Sequence, residues 1–183
     1  MNNPAPSSLR GRRQAGQAAP LPLPSNSLAS NQYSESMTPD ADETLTPFAH
    51  AAGNRCFGCG EANPSGMRLE FLLAQDGSIV SLPAVSRNFE GHPGYLHGGI
   101  IATLLDEAMS KAVRALGRPS VTRKLEIDYL RPVPSATPLR LEGRVVRSEE
   151  RKHWAEALIL DANGLALARA HALFIEFQLK AEK

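Results

Sequence analysis

Apolar positions alternate with polar ones in the first readable segment of the chain. Within 67–73 every second residue is apolar: Met67, Leu69, Phe71 and Leu73. This is the period-two pattern of a half-buried strand, and a turn at 75–78 leads to a second short strand at 79–82. The two strands are predicted to form a hairpin.

A glycine-rich passage over 91–99 precedes the one convincing helix of the sequence, predicted from about residue 98 to Leu116 and closed by Gly117 and Pro119. One broad face of this helix is apolar: Ile101, Leu104, Leu105, Ala108 and Ala112. Charged residues at i, i+4, i+7 and i+11 predict a solvent-facing stripe: Glu107, Lys111, Arg114 and Arg118.

Four strands follow the helix, around 124–130, 139–145, 154–160 and 165–177. Between the last two, an Asn-Gly pair at 163–164 predicts a two-residue hairpin turn. A lone helix beside about six strands must bury its apolar face on the sheet. We therefore predict an α+β fold in which an antiparallel sheet of about six strands wraps one long central helix.

Composition disfavours two classes of protein, those that bind nucleic acid and those that span a membrane. The chain has 183 residues, with 20 Lys and Arg against 19 Asp and Glu, and this near-neutral balance disfavours a nucleic-acid-binding protein. Two cysteines favour a reducing compartment, so we expect a cytoplasmic protein. We find no run of about 18 apolar residues and expect no membrane span.

Residues 1–45 differ in composition from the rest of the chain. They hold six of the 14 prolines and one aromatic residue, Tyr33, which is too little apolar surface to offset the entropy of ordering. We predict a disordered tail over 1–45 and a single domain over 46–183. Arginines at 10, 12 and 13 weakly suggest an organelle transit peptide, but the prolines favour a plain tail, and Met37 is an alternative start.

Asp106 is unusual within the predicted helix because it lies off the charged stripe. Its neighbours one and two turns away are apolar or neutral: Ala102, Thr103, Met109, Ser110 and Val113. Partial burial there would raise the proton affinity of the carboxylate and make it a usable base. The alternative is a satisfied polar contact or a second solvent-facing acid beside Glu107.

The helix start offers a second chemical feature. Gly98 and Gly99 place backbone N–H groups at the positive end of the helix dipole, where they can receive a carbonyl oxygen or an oxyanion. Nine residues separate His97 from Asp106, or about 13 Å along the axis. Both features can therefore act on one substrate only if a second chain contributes, so we predict a dimeric site.

The motif that runs from His97-Gly98-Gly99 through Asp106 to Met109 resembles the helix motif of hotdog-fold thioesterases. It is most similar to the 4-hydroxybenzoyl-CoA thioesterase superfamily, PaaI-like branch. The resemblance extends to the Cys-Phe-Gly-Cys-Gly sequence at 56–60, to 63–67 and to 129–132. It implies hydrolysis of an acyl-CoA or acyl-carrier-protein thioester without metal or organic cofactor, by a homodimer or dimer of dimers with sites at the subunit interface.

The same resemblance implies roles for single residues. Asp106 would be a general base or a nucleophile, and the Gly98 N–H of the partner subunit would polarise the thioester carbonyl. Gly99 would permit close approach of the substrate, and His97 would orient the loop. Thr122 would orient the attacking water, although an ordinary strand residue is an equal interpretation.

One position departs from the family pattern. Some members place an Asn six residues before the motif His, where this chain has Gly91. The neighbouring His92 is a candidate substrate-binding residue in its place; the alternative is an ordinary loop role.

The Cys56 and Cys59 pair has the spacing of a zinc ligand pair. A structural zinc site needs four ligands, so His50, His92 or a symmetry mate would have to complete it. We expect a reduced, packed turn without metal.

Two other functions compete with hydrolysis. A non-catalytic acyl-CoA-binding or regulatory module on the same fold would bind acyl-CoA without releasing thiol. A hotdog hydratase would resemble a pattern with a His five residues after the helix Asp, and that position is Lys111 here.

Overall fold

The computed structural model describes residues 44–177, and within this range one α-helix packs against a large antiparallel sheet. The elements are, in chain order, β1 (Thr46–Pro47), β2 (Leu72–Leu73), β3 (Ile79–Ser81), β4 (Glu90–His92), β5 (Tyr95–Leu96), α1 (Gly98–Ala115), β6 (Ser120–Tyr129), β7 (Arg140–Glu149), β8 (Lys152–Leu160) and β9 (Ala166–Glu176). The predicted disordered tail lies almost wholly outside the described residues and stays a prediction.

The large sheet has seven strands in the order β1-β2-β3-β7-β8-β9-β6, and each neighbouring pair is antiparallel. Strands β4 and β5 form a separate short ribbon that leads into α1. The α+β architecture predicted from the sequence is confirmed, with seven strands instead of about six. Across residues 44–177, no helix has the length and apolar character that a membrane crossing requires.

The helix lies close to the sheet because the facing strand positions are small. Alanines of β8 and β9 are buried beneath it: Ala155, Ala157, Ala168, Ala170 and Ala172. On β7, a Cβ added to Gly143 would lie 2.7 Å from the backbone carbonyl of Ala108. All five residues of the predicted apolar face are buried, so the helix is anchored along its length.

The predicted solvent-facing stripe of α1 is half wrong. Arg114 and Arg118 are exposed, but Glu107 and Lys111 are only 9% and 6% exposed. The turn at 56–60 covers them: a Cβ added to Gly58 would lie 2.5 Å from Cγ of Glu107. Helical spacing marks a charged stripe but does not show that a distant loop covers it.

Two local predictions also differ from the structure. The strand predicted over 67–73 is regular only at β2, because Met67 and Leu69 donate their N–H groups to Phe57 and Gly58. Five residues, 161–165, separate β8 from β9 instead of the predicted two-residue turn. The Asp161 N–H donates to the Leu165 carbonyl and the Gly164 N–H donates to the Asp161 carbonyl, both at 3.0 Å.

Candidate active site

Asp106 lies in the third turn of α1 and meets a hydroxyl from the sheet. Thr122 Oγ1 donates to Asp106 Oδ1 at 2.7 Å. Thr122 belongs to β6, and the pairing of β6 with β9 shifts register between Thr122 and Lys124. Such a bulge re-aims a side chain. The structure thus brings together two residues that the sequence singled out 16 positions apart.

Burial raises the pKa of Asp106 above its ordinary value, because the apolar surroundings disfavour the ionised carboxylate. The hydrogen bond from Thr122 acts in the opposite direction and stabilises the ionised form, while the negative charge of Glu107 raises the pKa again. Asp106 is therefore a more basic carboxylate than an exposed aspartate.

His97 caps the start of α1. Its backbone is extended, with φ −63° and ψ 141°, and its Nδ1 accepts the N–H of Gly99 at 2.9 Å. This bond corrects the expectation that both glycine N–H groups can receive a substrate oxygen, because the Gly99 donor is already used. A Cβ on Gly99 would lie 3.2 Å from the same Nδ1, so the glycine also makes room for the capping ring.

Gly98 supplies the free donor at this end of the helix. Within residues 44–177 its N–H donates to no acceptor, whereas its carbonyl accepts from the Tyr129 hydroxyl at 3.1 Å. A Cβ on Gly98 would meet nothing closer than the Tyr129 ring, at 3.8 Å. The unpaired N–H lies in the first turn of α1, at the positive end of the helix dipole, where an anionic oxygen would be stabilised.

The acid and the free donor do not meet within one chain. Eight residues separate Gly98 from Asp106 along α1, which is about 12 Å of helix axis. One chain therefore cannot place its own Gly98 N–H at its own Asp106. Strand β6 forms one edge of the large sheet and leaves Val121 and Tyr129 more than half exposed, at 55% and 54%.

The structure explains why position 91 is glycine instead of the asparagine of some family members. A Cβ on Gly91 would lie 2.9 Å from Cα of His97, so any larger residue would displace the capping histidine. The His92 ring lies on the exposed β4 ribbon, 6.4 Å from the Tyr95 ring. In the described part of the chain no hydrogen bond joins His92 to the helix start, and its substrate-binding role stays a prediction.

Cys56 and Cys59 lie against the buried ion pair of α1. The Cys56 thiol donates to Glu107 Oε1 at 3.1 Å, and Lys111 Nζ donates to Glu107 Oε2 at 3.1 Å. Burial alone would raise the pKa of Glu107, but the Lys111 charge and the two thiols lower it below its usual value. The third group near the cysteines is thus Glu107, and neither His50 nor His92 belongs to this group.

Because this ion pair is buried, Lys111→Met is expected to cost about 3–5 kcal/mol of unfolding free energy by leaving Glu107 unpaired. The double variant Glu107→Gln/Lys111→Met should recover most of that loss. Lys124→Met is the matched control, since Lys124 pairs with Glu126 at 2.9 Å on the exposed surface, where such pairs contribute less than about 1 kcal/mol. Urea unfolding measures all three variants. Equal costs for Lys111→Met and Lys124→Met would contradict this account.

Comparison with known proteins yields one family model and several relatives. Residues 93–167 match the family described as the thioesterase superfamily. The acyl-coenzyme A thioesterase THEM4 of Xenopus laevis is 33% identical over 88 residues, which is 48% of this chain and 40% of that protein. The chain therefore spans less than half the length of this curated relative.

Solved structures share the fold. A Bacillus halodurans protein, BH2602, solved with CoA, is 25% identical with a TM-score of 0.56, over 62% of this chain and 77% of that one. The Escherichia coli PaaI protein of the phenylacetic acid degradation operon is 19% identical with a TM-score of 0.57, over 61% and 81%.

Proposed function

We propose that the chain, whose residues 93–167 match the thioesterase superfamily, is a hotdog-fold thioesterase that hydrolyses an acyl-CoA or acyl-carrier-protein thioester to a free acid and a thiol. The observation that carries this proposal is the hydrogen bond between Thr122 and Asp106, which orients a partly buried carboxylate on the same helix that begins with an unpaired Gly98 N–H. We assign the activity to the domain over 46–183.

In the proposed reaction, Asp106 removes a proton from a water molecule whose oxygen attacks the thioester carbonyl carbon. The carbonyl oxygen becomes an oxyanion and accepts the Gly98 N–H of a second chain. The C–S bond then breaks, and the thiolate leaves and takes up a proton. Direct attack by Asp106 would instead form an acyl anhydride that water hydrolyses. Either route needs one carboxylate and one backbone donor, so we propose no metal or organic cofactor.

The proposed site combines two copies of the chain. The distance along α1 supports this, because one helix cannot bring its own Gly98 to its own Asp106. The exposed edge of β6 is a ready surface for a second copy, since an edge strand carries unpaired backbone groups. We propose a homodimer, or a dimer of dimers, with the site at the interface.

The other residues predicted from the sequence position the helix start or line the substrate site in this proposal. His97 holds the helix start through its cap, and Gly99 leaves space for the His97 ring. We propose that His92 lies at the edge of the substrate site.

The CoA-bound relative supports acyl-CoA as substrate. The two free thiols are compatible with a cytoplasmic location.

Thr122→Val is expected to shift the acid limb of the kcat/KM profile to higher pH. Asp106 must be ionised to accept a proton, so the rate falls as pH decreases through its pKa. Thr122 lowers that pKa, and its removal raises it further. Thr122→Ser keeps a hydroxyl and should keep the wild-type profile. A valine variant whose acid limb stays in place, or moves to lower pH, would contradict the role given to Thr122.

A thiol-release screen over short, medium, long and aromatic acyl-CoAs tests the proposed function, with light scattering to report the oligomeric state. We expect turnover of at least one class by a dimer or larger assembly. Tight acyl-CoA binding without thiol release would instead favour a non-catalytic binding module. A hydratase is disfavoured because the ammonium of Lys111, the residue at the position of that family's His, is paired with Glu107.

A further inference from the structure

Four buried or half-buried groups form a polar cluster that the proposed reaction does not use. We call Cys56, Cys59, Glu107 and Lys111 the thiol cluster. The two sulfur atoms and one carboxylate oxygen of Glu107 all lie within 4.8 Å of one another. The cluster joins the 56–60 turn to the helix that carries Asp106.

The turn is shaped to hold both thiols at the helix. The Gly60 N–H donates to the Cys56 carbonyl at 2.9 Å, which closes the turn and places the two cysteines on one side. Asn54 contacts both: its Oδ1 accepts the Cys56 N–H at 3.0 Å, and its Nδ2 donates to Cys59 Sγ at 3.5 Å. Gly58 has no side chain to keep Glu107 away.

The charge of the cluster favours thiol chemistry over a bound metal ion. Cys56, Cys59 and Glu107 offer three donor atoms to a metal, whereas a closed zinc site takes four. The Lys111 ammonium, 3.1 Å from Glu107 Oε2, already supplies the positive charge that the carboxylate requires. A divalent cation would have to bind beside this ammonium.

We propose that Cys56 and Cys59 are a modification site for small oxidants of the peroxide class, at which they form a reversible intramolecular disulfide. Both thiols are free in the structure. Cys56 is half-buried and therefore reachable, whereas Cys59 is only 4% exposed. The more accessible member of the pair is thus the one that meets the oxidant, and the buried member resolves the product.

The reaction balances in two steps. The Cys56 sulfur attacks a peroxide oxygen, so that an S–O bond forms, the O–O bond breaks, and the departing hydroxide takes the thiol proton as water. The Cys59 sulfur then attacks the Cys56 sulfur, an S–S bond forms, the S–O bond of Cys56 breaks, and the departing hydroxide takes the Cys59 proton as water. Burial raises the pKa of the Cys59 thiol to about 11, which disfavours Cys59 as the thiol that attacks the peroxide.

Disulfide formation removes the S–H donor from Glu107. A disulfide carries no S–H group, so Glu107 would keep Lys111 but lose the hydrogen bond from Cys56. The hydrogen bond from Cys56 to Glu107 stabilises the dithiol, so we expect a disulfide that is readily reduced, as regulatory disulfides are. Oxidation would loosen the 54–60 segment from Glu107, on the helix that also carries Asp106.

The first test maps the oxidised product of the full-length chain. The reduced protein is treated with hydrogen peroxide, alkylated and analysed by peptide mass spectrometry. We expect a Cys56–Cys59 disulfide, recognised by the loss of two hydrogens, which dithiothreitol reverses. Sulfinic acid on Cys56, disulfides between chains, or an unmodified dithiol would each overturn the proposal. This mapping needs no variant, so it is independent of whether variants fold and of any thioesterase activity.

The second test measures the coupling to Glu107 in glutathione redox buffers. The double variant Glu107→Gln/Lys111→Met removes the charged acceptor with its counter-ion, and we expect it to favour the disulfide by about tenfold in the equilibrium constant. The matched control is Glu126→Gln/Lys124→Met on the exposed surface, which should keep the wild-type constant. An unchanged constant in the Glu107 variant would overturn the coupling.

Discussion

Asp106→Asn is expected to lower kcat by about 10²–10⁴-fold, because the amide has the shape of the carboxylate but does not accept a proton from water. The hydrogen bond from Thr122 Oγ1 can still be accepted by the amide oxygen, so the geometry should persist. KM should change little, since the lost interaction acts in the transition state rather than in substrate binding. Steady-state thiol release from the best substrate of the screen measures both constants.

The control for this variant is Asp76→Asn. Asp76 lies in the exposed turn between β2 and β3, where its carboxylate accepts the Ser78 N–H at 2.8 Å. It should keep wild-type turnover. Full activity in Asp106→Asn would place the base elsewhere, and a large rise in KM with unchanged kcat would make Asp106 a binding residue.

Gly98→Pro is expected to lower kcat by about 10²–10³-fold, the usual cost of losing one oxyanion donor. Proline removes the backbone N–H but suits the first position of a helix. It also requires an extended preceding residue, and His97 already has a ψ of 141°. The substitution therefore deletes the donor with little expected change to the helix.

Gly98→Ala separates loss of the donor from added bulk. Alanine keeps the N–H, and its Cβ would lie 3.8 Å from Tyr129, an ordinary contact distance. We expect it to retain much more activity than the proline variant. If alanine and proline reduce kcat equally, bulk near the substrate matters and the oxyanion role of the Gly98 N–H is contradicted.

The parts of the fold that local chemistry determines could be predicted from the sequence. The bounds of α1 agree within one residue, because the glycine-rich passage marks its start and Gly117 marks its end. Thr122 was singled out by family resemblance, and the structure places its hydroxyl on Asp106.

Long-range contacts account for what the sequence did not predict. Glu107 and Lys111 have the spacing of a solvent-facing stripe, and only the turn from 56–60, about fifty residues earlier, shows that they are buried. Carbonyl groups of the same turn accept the N–H groups of Met67 and Leu69, so the predicted strand is shorter in the structure. The glycines at 58 and 60 indicate that other atoms pack closely against this turn. The sequence alone does not show which residues these are.

Complementation between two inactive variants tests the shared site most directly. Asp106→Asn and Gly98→Pro chains are mixed, unfolded and refolded together, and thiol release is compared with each variant alone. A mixed dimer holds one site with the intact Asp106 of one chain and the intact Gly98 of the other, so we predict recovery of about a quarter of wild-type activity. A mixture as inactive as its parents, with mixed dimers shown to form, would contradict a site built from two chains.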